Sequence, residues 1–509
     1  MTAGQNIGCQ HLAGILAWAE MTYQKRGLFA IKPSMKPKKE LSPWMSNPSY
    51  LGFVLICVMG CTSETDVSIR PSGEPPVLTR NQRDSPSITT PQRNTGPVGT
   101  DSFTRVMEEL TQRAALYEEG LDFEASLKTW EEISNEVAVH FAPDSWQVAT
   151  AAAGKEFAKK ACGFNAEDCE LYREARRLNQ ELAKLLKDRD YALALSNANK
   201  SLEILKQLTG DYSANVGRQL LQMAIIKENL DLLEEAAGDF HQGIQLLNNI
   251  GFKTHPEIEL AHSALAAIYS RANQFPASIA NQKLATLMSG KIWGEDSVKY
   301  AGQANQLGSI YHRSGDYETA LKILRGSVAI RRAKLGADAI EVGHSQLNIG
   351  TVLMDMKRFS EALESVKIAE QIFQQTVPRR HRGIVLCHNK LATIYMLQKQ
   401  YGLAEEQLKL AVRELQQVAH VMPSQMSLTE YQLAISLGRQ GKYSQAQPLL
   451  EKIISTQEVE LGPSHPMTVR SLKAYALVLK QTKQEIDAQR VYDRIQRTAG
   501  LEKGDERVR

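Results

Sequence analysis

The feature that most constrains this chain is a residue pair that returns every 42 positions. In the stretch GDYETALKILRGSVAI, residues 315–330, an aromatic residue precedes an alanine by three positions. Steps of 42 residues place this marker at Tyr191, Leu233, Phe275, Tyr317, Phe359, Tyr401, Tyr443 and Glu485. The third residue after each marker is alanine, except for Ser278. Eight units without an insertion or deletion predict a repeat array over residues 172–498.

One unit of the array is predicted to be a helix, a tight turn and a second helix. Leu307, Gly308 and Tyr311 precede the marker Tyr317 by ten, nine and six residues and share one helical face. After the marker, Leu324 lies on the apolar face of the second helix. Glycine in the turns RSGDY and RQGKY can adopt the left-handed conformation that ends a helix. Because neither helix can bury its apolar face alone, we expect stability to come from stacked neighbours.

The pattern of large, small and aromatic residues, followed by aromatic-x-x-Ala, resembles the tetratricopeptide repeat. The 42-residue period and linkers such as LGPSHPMTV, residues 461–469, are similar to the kinesin light chain subfamily of these repeats. The resemblance implies an all-α fold, a right-handed α-solenoid of tetratricopeptide helix hairpins. Three residues depart from the pattern: Lys227 replaces an aromatic residue, Gln282 an apolar residue and Glu485 the marker aromatic.

The sequence divides into five predicted segments. A ninth hairpin has Phe123 and Trp130 at the repeat offsets, but Phe123 lies 68 residues before Tyr191, so 26 extra residues intervene. Most of this insertion is interpreted as one additional helix. The segments are an upstream region with a signal peptide (1–60), a disordered tether (61–102), the N-terminal hairpin plus extra helix (103–171), eight repeats (172–498) and a polar tail (499–509). The tether is rich in Pro, Ser, Thr and Gly and has no apolar period, which is typical of disorder.

A short apolar run, LGFVLICVMGC at residues 51–61, follows the basic stretch MKPKK. The run is too short to span a bilayer as a mature helix, whereas a basic segment, an apolar core and a small residue are the layout of a secretory signal peptide. Residues 58–61 resemble the lipobox of bacterial lipoproteins. This resemblance implies a lipid on Cys61 and a membrane-anchored protein at the periplasmic or outer-membrane face. The alternatives are an uncleaved hydrophobic anchor and a chance apolar run.

Charge and motifs narrow the classes of function. Of the formal net charge of +3, residues 1–60 hold six Lys or Arg against two Glu, so residues 61–509 have no net basic field for nucleic acid. The chain has no Walker loop, GxGxxG, HExxH or GxSxG motif, so we predict no catalysis, no cofactor and no metal site. Cys162 and Cys169 flank a turn and could form a disulfide in an oxidising compartment; two unrelated core cysteines are the alternative. Cys387 is predicted to be a small buried hydrophobe.

The resemblance also implies that the first helices line a concave groove for a peptide or protein segment. The residues left on this face once the packing positions are removed include Arg271, Asn305, Ser309, His312, Arg313, Thr351, Met354, Asn389, Thr393, Met396, Tyr431 and Arg439. We expect Asn305 and Asn389, each twelve residues before a marker, to hydrogen-bond the backbone of an extended peptide. For any single residue, a solvated helix face is the alternative.

Two functional interpretations follow. The first is a non-enzymatic interaction scaffold that binds a partner segment in the groove and is held at a bacterial membrane by lipid. The second is a soluble cytoplasmic regulatory or accessory subunit of an enzyme complex. The identity of the partner does not follow from a fold, because function depends on the site that a fold carries.

Overall fold

The computed structural model describes residues 101–376, 382–417 and 423–505. Every regular element in these ranges is a helix, and no strand occurs there, which confirms the predicted all-α class. In chain order the helices are α1 (Asp101–Glu119), α2 (Phe123–His140), α3 (Trp146–Ala161), α4 (Ala166–Asp188), α5 (Tyr191–Thr209), α6 (Ala214–Asn229), α7 (Leu233–Asn249), α8 (Pro256–Arg271), α9 (Phe275–Trp293), α10 (Val298–Ser314), α11 (Tyr317–Leu335), α12 (Ile340–Asp355), α13 (Phe359–Thr376), α14 (Arg382–Leu397), α15 (Tyr401–Gln417), α16 (Pro423–Arg439), α17 (Tyr443–Glu460), α18 (Pro466–Gln481) and α19 (Glu485–Asp505).

The helices group into two compact units whose boundary falls between Gln303 and Ala304, inside α10. The described residues up to Gln303 are called the N-terminal unit, and those from Ala304 the C-terminal unit. Within each unit, a hairpin consists of a first helix that precedes a marker and a second helix that begins at it. First helices of neighbouring hairpins also contact each other, as α6 contacts α8 and α12 contacts α14.

The marker residues begin helices. All eight, from Tyr191 to Glu485, are the first residue of a second helix, and Phe123 begins α2 in the same way. The insertion before Tyr191 contains α3, and α4 follows it with a capping box formed by Asn165 and Asp168. The predicted segment limits at 171/172 and 498/499 fall inside α4 and α19, because both helices are longer than the first and second helices of the regular repeat.

Each hairpin turn has one residue in the left-handed backbone region, two positions before the second helix begins. Gly315 and Gly441 occupy this position with φ of 90° and 75°, as their sequences predict. The other turns place a residue with a side chain there: Leu121, Arg189, Asp231, Asn273, Lys357, Lys399 and Lys483. The left-handed conformation costs a residue other than Gly, Asn or Asp roughly 1–2 kcal/mol, which applies to five of these seven. The packing of the two helices therefore imposes the turn geometry.

Close approach of the two helices fixes the core of each hairpin. A Cβ atom built on Gly308 would lie 2.7 Å from Leu324 Cγ, and one on Gly350 would lie 2.6 Å from Val366 Cγ2. Leu324 and Val366, seven residues after their markers, are 0% exposed. The small residue nine positions before the marker is thus required by packing, since a larger one would displace the opposite side chain.

Gln282 occupies the position that corresponds to Leu324 in the N-terminal unit and is 1% exposed. Its Nε2 donates to Gln303 Oε1 at 2.7 Å, and Gln303 Nε2 donates to Glu259 Oε1 at 2.9 Å. Burial raises the pKa of Glu259, although hydrogen bonds from Trp293 and Gln303 act against this shift. A polar network therefore replaces the apolar contact here, and Gln282 is tolerated because its amide has partners.

We expect Gly441→Ala to lower the free energy of unfolding by about 1–2 kcal/mol, because alanine is disfavoured in the left-handed region. Gly326→Ala is the matched control: neither glycine has an atom within 4 Å of an added Cβ, but Gly326 is inside α11 and has no left-handed φ. The control should raise stability by about 0.5–1 kcal/mol. Urea unfolding followed by circular dichroism measures both, and equal effects of the two changes would contradict the assignment of strain to the turn.

Candidate protein-binding site

The predicted groove residues all lie on first helices. Those of the C-terminal unit are Asn305, Ser309, His312 and Arg313 on α10, Thr351 and Met354 on α12, Asn389, Thr393 and Met396 on α14, and Tyr431 and Arg439 on α16. We call the side chains that α10 from Ala304 onward, α12, α14, α16 and α18 present four, five, eight and twelve residues before a marker the first-helix face. Arg271 lies on α8 in the N-terminal unit.

Asn305 makes a contact between neighbouring hairpins. Asn348 Nδ2 on α12 donates to Asn305 Oδ1 at 3.3 Å and lies 3.4 Å from Ser309 Oγ. Ser309 Oγ in turn donates to the carbonyl oxygen of Asn305 at 3.0 Å. The amide oxygen of Asn305 is therefore engaged inside the array.

His312 and Asp355 form a second link between α10 and α12. His312 Nε2 lies 2.6 Å from Asp355 Oδ2, and both side chains are less than one fifth exposed. The ring of Tyr317 lies 5.7 Å from the His312 ring. Burial, and then the charge of Asp355, raise the pKa of the Tyr317 phenol. The pair stabilises the contact between two first helices.

Asn389 makes the corresponding contact further along the array. Its Nδ2 donates to Thr429 Oγ1 on α16 at 3.2 Å, and its carbonyl oxygen accepts from Thr393 Oγ1 at 2.9 Å. The amide oxygen Oδ1 of Asn389 is buried and has no hydrogen-bond partner. Thr393 is 7% exposed and Met354 is 8% exposed, so these two side chains belong to the packing.

The end of the first-helix face nearest α18 is the most accessible. Arg439 and Lys473 are exposed, and Leu477 is 53% exposed. Burial raises the pKa of the Tyr431 phenol, and the nearby charge of Arg470 acts in the opposite direction. Lys473 and Leu477 were not among the predicted groove residues, although they lie twelve and eight residues before Glu485 and share the offsets of Asn305 and Ser309.

Charge is segregated between the two kinds of helix in this region. The first helices α14, α16 and α18 contain six Lys or Arg and one carboxylate, Glu430. The second helices α13, α15 and α17 contain nine Glu and four Lys or Arg. Glu430 is 6% exposed, and its Oε1 accepts from Lys452 Nζ of α17 at 2.6 Å, so its charge is neutralised. At the four offsets that define the first-helix face, the charged residues of α14, α16 and α18 are Arg439, Lys473 and Lys480, so this part of the face is basic.

Arg271 is part of an ion-pair cluster at a hairpin turn. Its Nη2 lies 2.5 Å from Asp231 Oδ1, and its Nη1 lies 3.9 Å from Glu228 Oε1. Asp231 is the left-handed turn residue before α7, so Arg271 ties one turn to the next first helix. These contacts assign Arg271 a structural role in the N-terminal unit.

The remaining predicted residues do not form a site in the described ranges. Cys61 lies outside them. Cys162 and Cys169 are free thiols, and a disulfide between them stays a prediction. Cys387 is 0% exposed, as predicted, and burial raises the pKa of its thiol. In the part of the chain that the structure describes, no group of His, Cys, Asp and Glu could hold a metal ion, and no helix has the length and apolarity needed to cross a bilayer.

The contact between Asn305 and Asn348 gives a testable coupling. Asn305→Ala and Asn348→Ala should each lower the free energy of unfolding by about 0.5–1.5 kcal/mol through the lost hydrogen bond. Because they share that bond, the double variant should lose less than the sum of the two. Asn305→Ala combined with Asn389→Ala is the control pair and should be additive, since no contact joins these residues. If the losses in free energy of unfolding of the Asn305 and Asn348 variants, measured in urea, add up in the double variant, the hydrogen bond between them contributes nothing.

Comparison with known proteins gives limited similarity. The tetratricopeptide repeat model matches residues 300–375 and 425–498. The chain is 26% identical over 179 residues to a clustered mitochondria protein homolog of Danio rerio. This match covers 35% of this chain but only 12% of the length of that protein.

Two solved structures are similar to parts of this chain. Kinesin light chain TPR-like repeats from Podosopora anserina are 21% identical, with a TM-score of 0.37 over 40% of this chain and 97% of that one. The apo quorum sensor NprR from B. thuringiensis is 14% identical, with a TM-score of 0.49 over 75% and 99% of the two chains. Tetratricopeptide repeats are present in the two segments that the family model matches, and the second segment contains α18 and most of α16.

Proposed function

We propose that this chain is a non-enzymatic scaffold whose first-helix face from α14 to α18 binds an acidic, partly apolar segment of a partner protein. The observation that carries the proposal is the charge of this face: its charged residues on α14, α16 and α18 are Arg439, Lys473 and Lys480, and Glu430 of α16 is neutralised by Lys452. Complementary charge between two surfaces directs association and disfavours partners of the same sign.

The apolar part of the partner has a separate basis. Leu477 is 53% exposed, and Tyr431 and Ile435 lie on the same face at the offsets of Asn389 and Thr393. Aromatic and aliphatic side chains of this kind supply the contact area that binding needs, since exposed ion pairs contribute only about 0.2–1 kcal/mol each. A partner segment with alternating carboxylates and apolar residues satisfies both features.

The asparagines have a narrower role than the sequence suggests. Asn389 Nδ2 is engaged with Thr429, and Asn305 Oδ1 with Asn348. A ligand backbone would have to bind the remaining amide atoms or displace these contacts. We therefore place the main recognition on Arg439 and Lys473, and keep the asparagines as secondary contacts.

Membrane attachment is a second part of the proposal. A lipid on Cys61 would anchor the chain, with residues 62–100 between the membrane and α1. The support is the lipobox-like sequence at residues 58–61 and the apolar run before it. In this arrangement the scaffold would present its basic face to partners near that membrane.

Charge reversal tests the binding face. The double variant Arg439→Glu with Lys473→Glu should weaken binding of a fluorescent fifteen-residue peptide of Glu, Gly and Leu by at least tenfold in anisotropy titrations at low salt. Binding by the wild type should also weaken as salt rises, because exposed charges are screened.

The matched control is Lys367→Glu with Arg413→Glu, which makes the same charge change at exposed positions on the second helices α13 and α15. This control should bind within about threefold of the wild type, since its positions are off the face. Equal weakening by both double variants, or equal binding of a peptide with Lys in place of Glu, would overturn the assignment of the face.

Lipidation is tested by fractionation. Cys61→Ser should move the protein from the membrane fraction to the soluble fraction, or leave the signal uncleaved, because two or more acyl chains anchor stably where one does not. Metabolic labelling with a fatty acid should mark the wild type and not Cys61→Ser, with Cys9→Ser as the labelled control. A wild type that is unlabelled and found only in the soluble fraction contradicts the anchor and leaves the binding proposal standing.

A further inference from the structure

Helix α3 is the part of the N-terminal unit that the repeat does not explain. It lies in the insertion before the first regular hairpin, and one side of it packs on α2. A Cβ atom on Gly154 would lie 2.5 Å from the ring of Trp130, and Lys155 Nζ lies 3.3 Å from Glu131 Oε1. This side joins α3 to the hairpin of α1 and α2.

The opposite side of α3 contacts residues about 100 to 150 positions away along the chain. Trp146 meets the ring of His255 edge-on at 5.8 Å and the ring of Trp293 at 6.1 Å. Thr150 Oγ1 lies 2.9 Å from His255 Nε2. Ala149 and Ala153 pack against the core cluster that contains Phe252, Ile258 and their neighbours. Small alanine side chains allow this close approach.

These contacts fall on the connections between successive hairpins. Ala161, at the end of α3, lies in one core cluster with Leu208 near the end of α5; His255 ends the loop after α7; and Trp293 ends α9. A helix of sixteen residues is about 24 Å long, and packed helices are about 8–10 Å apart. One helix of this length can therefore reach three consecutive connections.

His255 is the polar centre of this contact. It is 3% exposed, and its Nδ1 accepts from the backbone N–H of Glu257 at 3.2 Å, which caps α8. Its Nε2 then carries the proton and donates to Thr150 Oγ1, whose own proton goes to the carbonyl oxygen of Trp146 at 2.8 Å. Both ring nitrogens are satisfied only in the neutral form, because a proton on Nδ1 would face the Glu257 N–H.

The side chains that surround the His255 ring come from α3, from the loop before α8 and from α8 itself. Thr150 and Trp146 approach from α3, Phe252 from the loop at 4.3 Å between ring centroids, and Glu257 from α8. Arg218 of α6 binds Glu257 through its Nε at 3.0 Å, so the carboxylate near His255 already has a cation.

We propose that α3 is a strap that ties the first hairpin to three following connections of the N-terminal unit, and that protonation of His255 releases it. The released strap would free the Trp146 and Thr150 contacts and the apolar surface beneath Ala149 and Ala153. The device makes the rigidity of this unit depend on pH.

The direction of the pH dependence follows from the buried ring. Burial lowers the pKa of His255 to about 4, the Glu257 carboxylate acts to raise it and Arg218 to lower it. A released or unfolded histidine has a pKa near 6.5. The closed strap is therefore fully favoured above about pH 6.5 and loses its advantage as pH falls from 6.5 towards 4, by a factor on the order of a hundred in the closed-to-released ratio.

Hydrogen exchange of the full chain tests the strap. After correction for the intrinsic pH dependence, amides of residues 146–161 should exchange at least tenfold faster at pH 5 than at pH 7, while those of residues 317–335 should not change. Trp146→Ala should exchange fast at both pH values. Equal protection of α3 at pH 5 and pH 7 in the wild type would overturn the proposal.

Two histidine variants separate His255 from general acid effects. His255→Gln keeps a donor near Thr150 without titrating and should remove the pH dependence of α3. His262→Gln changes a half-buried histidine of the same unit, which contacts Asn281 at 2.9 Å, and should keep the pH dependence. If His255→Gln fails to fold, Thr150→Val takes its place and should speed exchange of α3 already at pH 7. A pH dependence that survives in His255→Gln, or an unchanged α3 in Thr150→Val, contradicts the role of this pair.

Discussion

The contact between a small residue on a first helix and a large apolar residue on the following second helix is the constraint on which the regular hairpins depend. Gly308 against Leu324 and Gly350 against Val366 bring the two backbones close enough to exclude other side chains. Because this contact recurs at fixed offsets, the remaining positions of each first helix are presented in a fixed order. The same repetition that builds the core therefore also arranges the first-helix face.

The basic character of that face depends on where the carboxylates are held. Glu405 of α15 is 6% exposed and accepts from Lys409, Lys442 and Gln440 at 2.6 to 2.9 Å. Burial opposes its ionisation, but these hydrogen bonds outweigh burial and lower its pKa to about 2. Glu430 is likewise held by Lys452. The array thus already neutralises Glu405 and Glu430 with its own lysines.

Much of the fold could be predicted from the sequence, because a period of 42 residues determines where each second helix begins. The turns at Gly315 and Gly441 were equally predictable from glycine, whereas Lys357 in the same conformation was not, since tertiary packing overrides its backbone preference. Lys227, a departure from the pattern, binds Asp239 at 2.7 Å through its Nζ. Asp239 lies on the second helix of the same hairpin, so an ion pair replaces the aromatic contact in this unit.

The candidate site was less predictable, for a physical reason that Asn305 illustrates. Its partner Asn348 lies 43 residues away in the next unit, so the bond depends on how neighbouring hairpins pack. Lys473 and Leu477 could have been found by extending the same offsets to the last marker. The contacts of α3 could not, because this helix lies outside the period and reaches His255 over 105 residues.

The left-handed residues in the turns allow the stability of single hairpins to change by substitution. Five of them are neither Gly, Asp nor Asn, so each of those hairpins retains strain of roughly 1–2 kcal/mol that a single glycine substitution could relieve. The turns are separate from the first-helix face, and the hairpins contact mainly their neighbours. Substitutions in the turns can therefore change the stability of one hairpin at a time, while the side chains of the first-helix face stay the same.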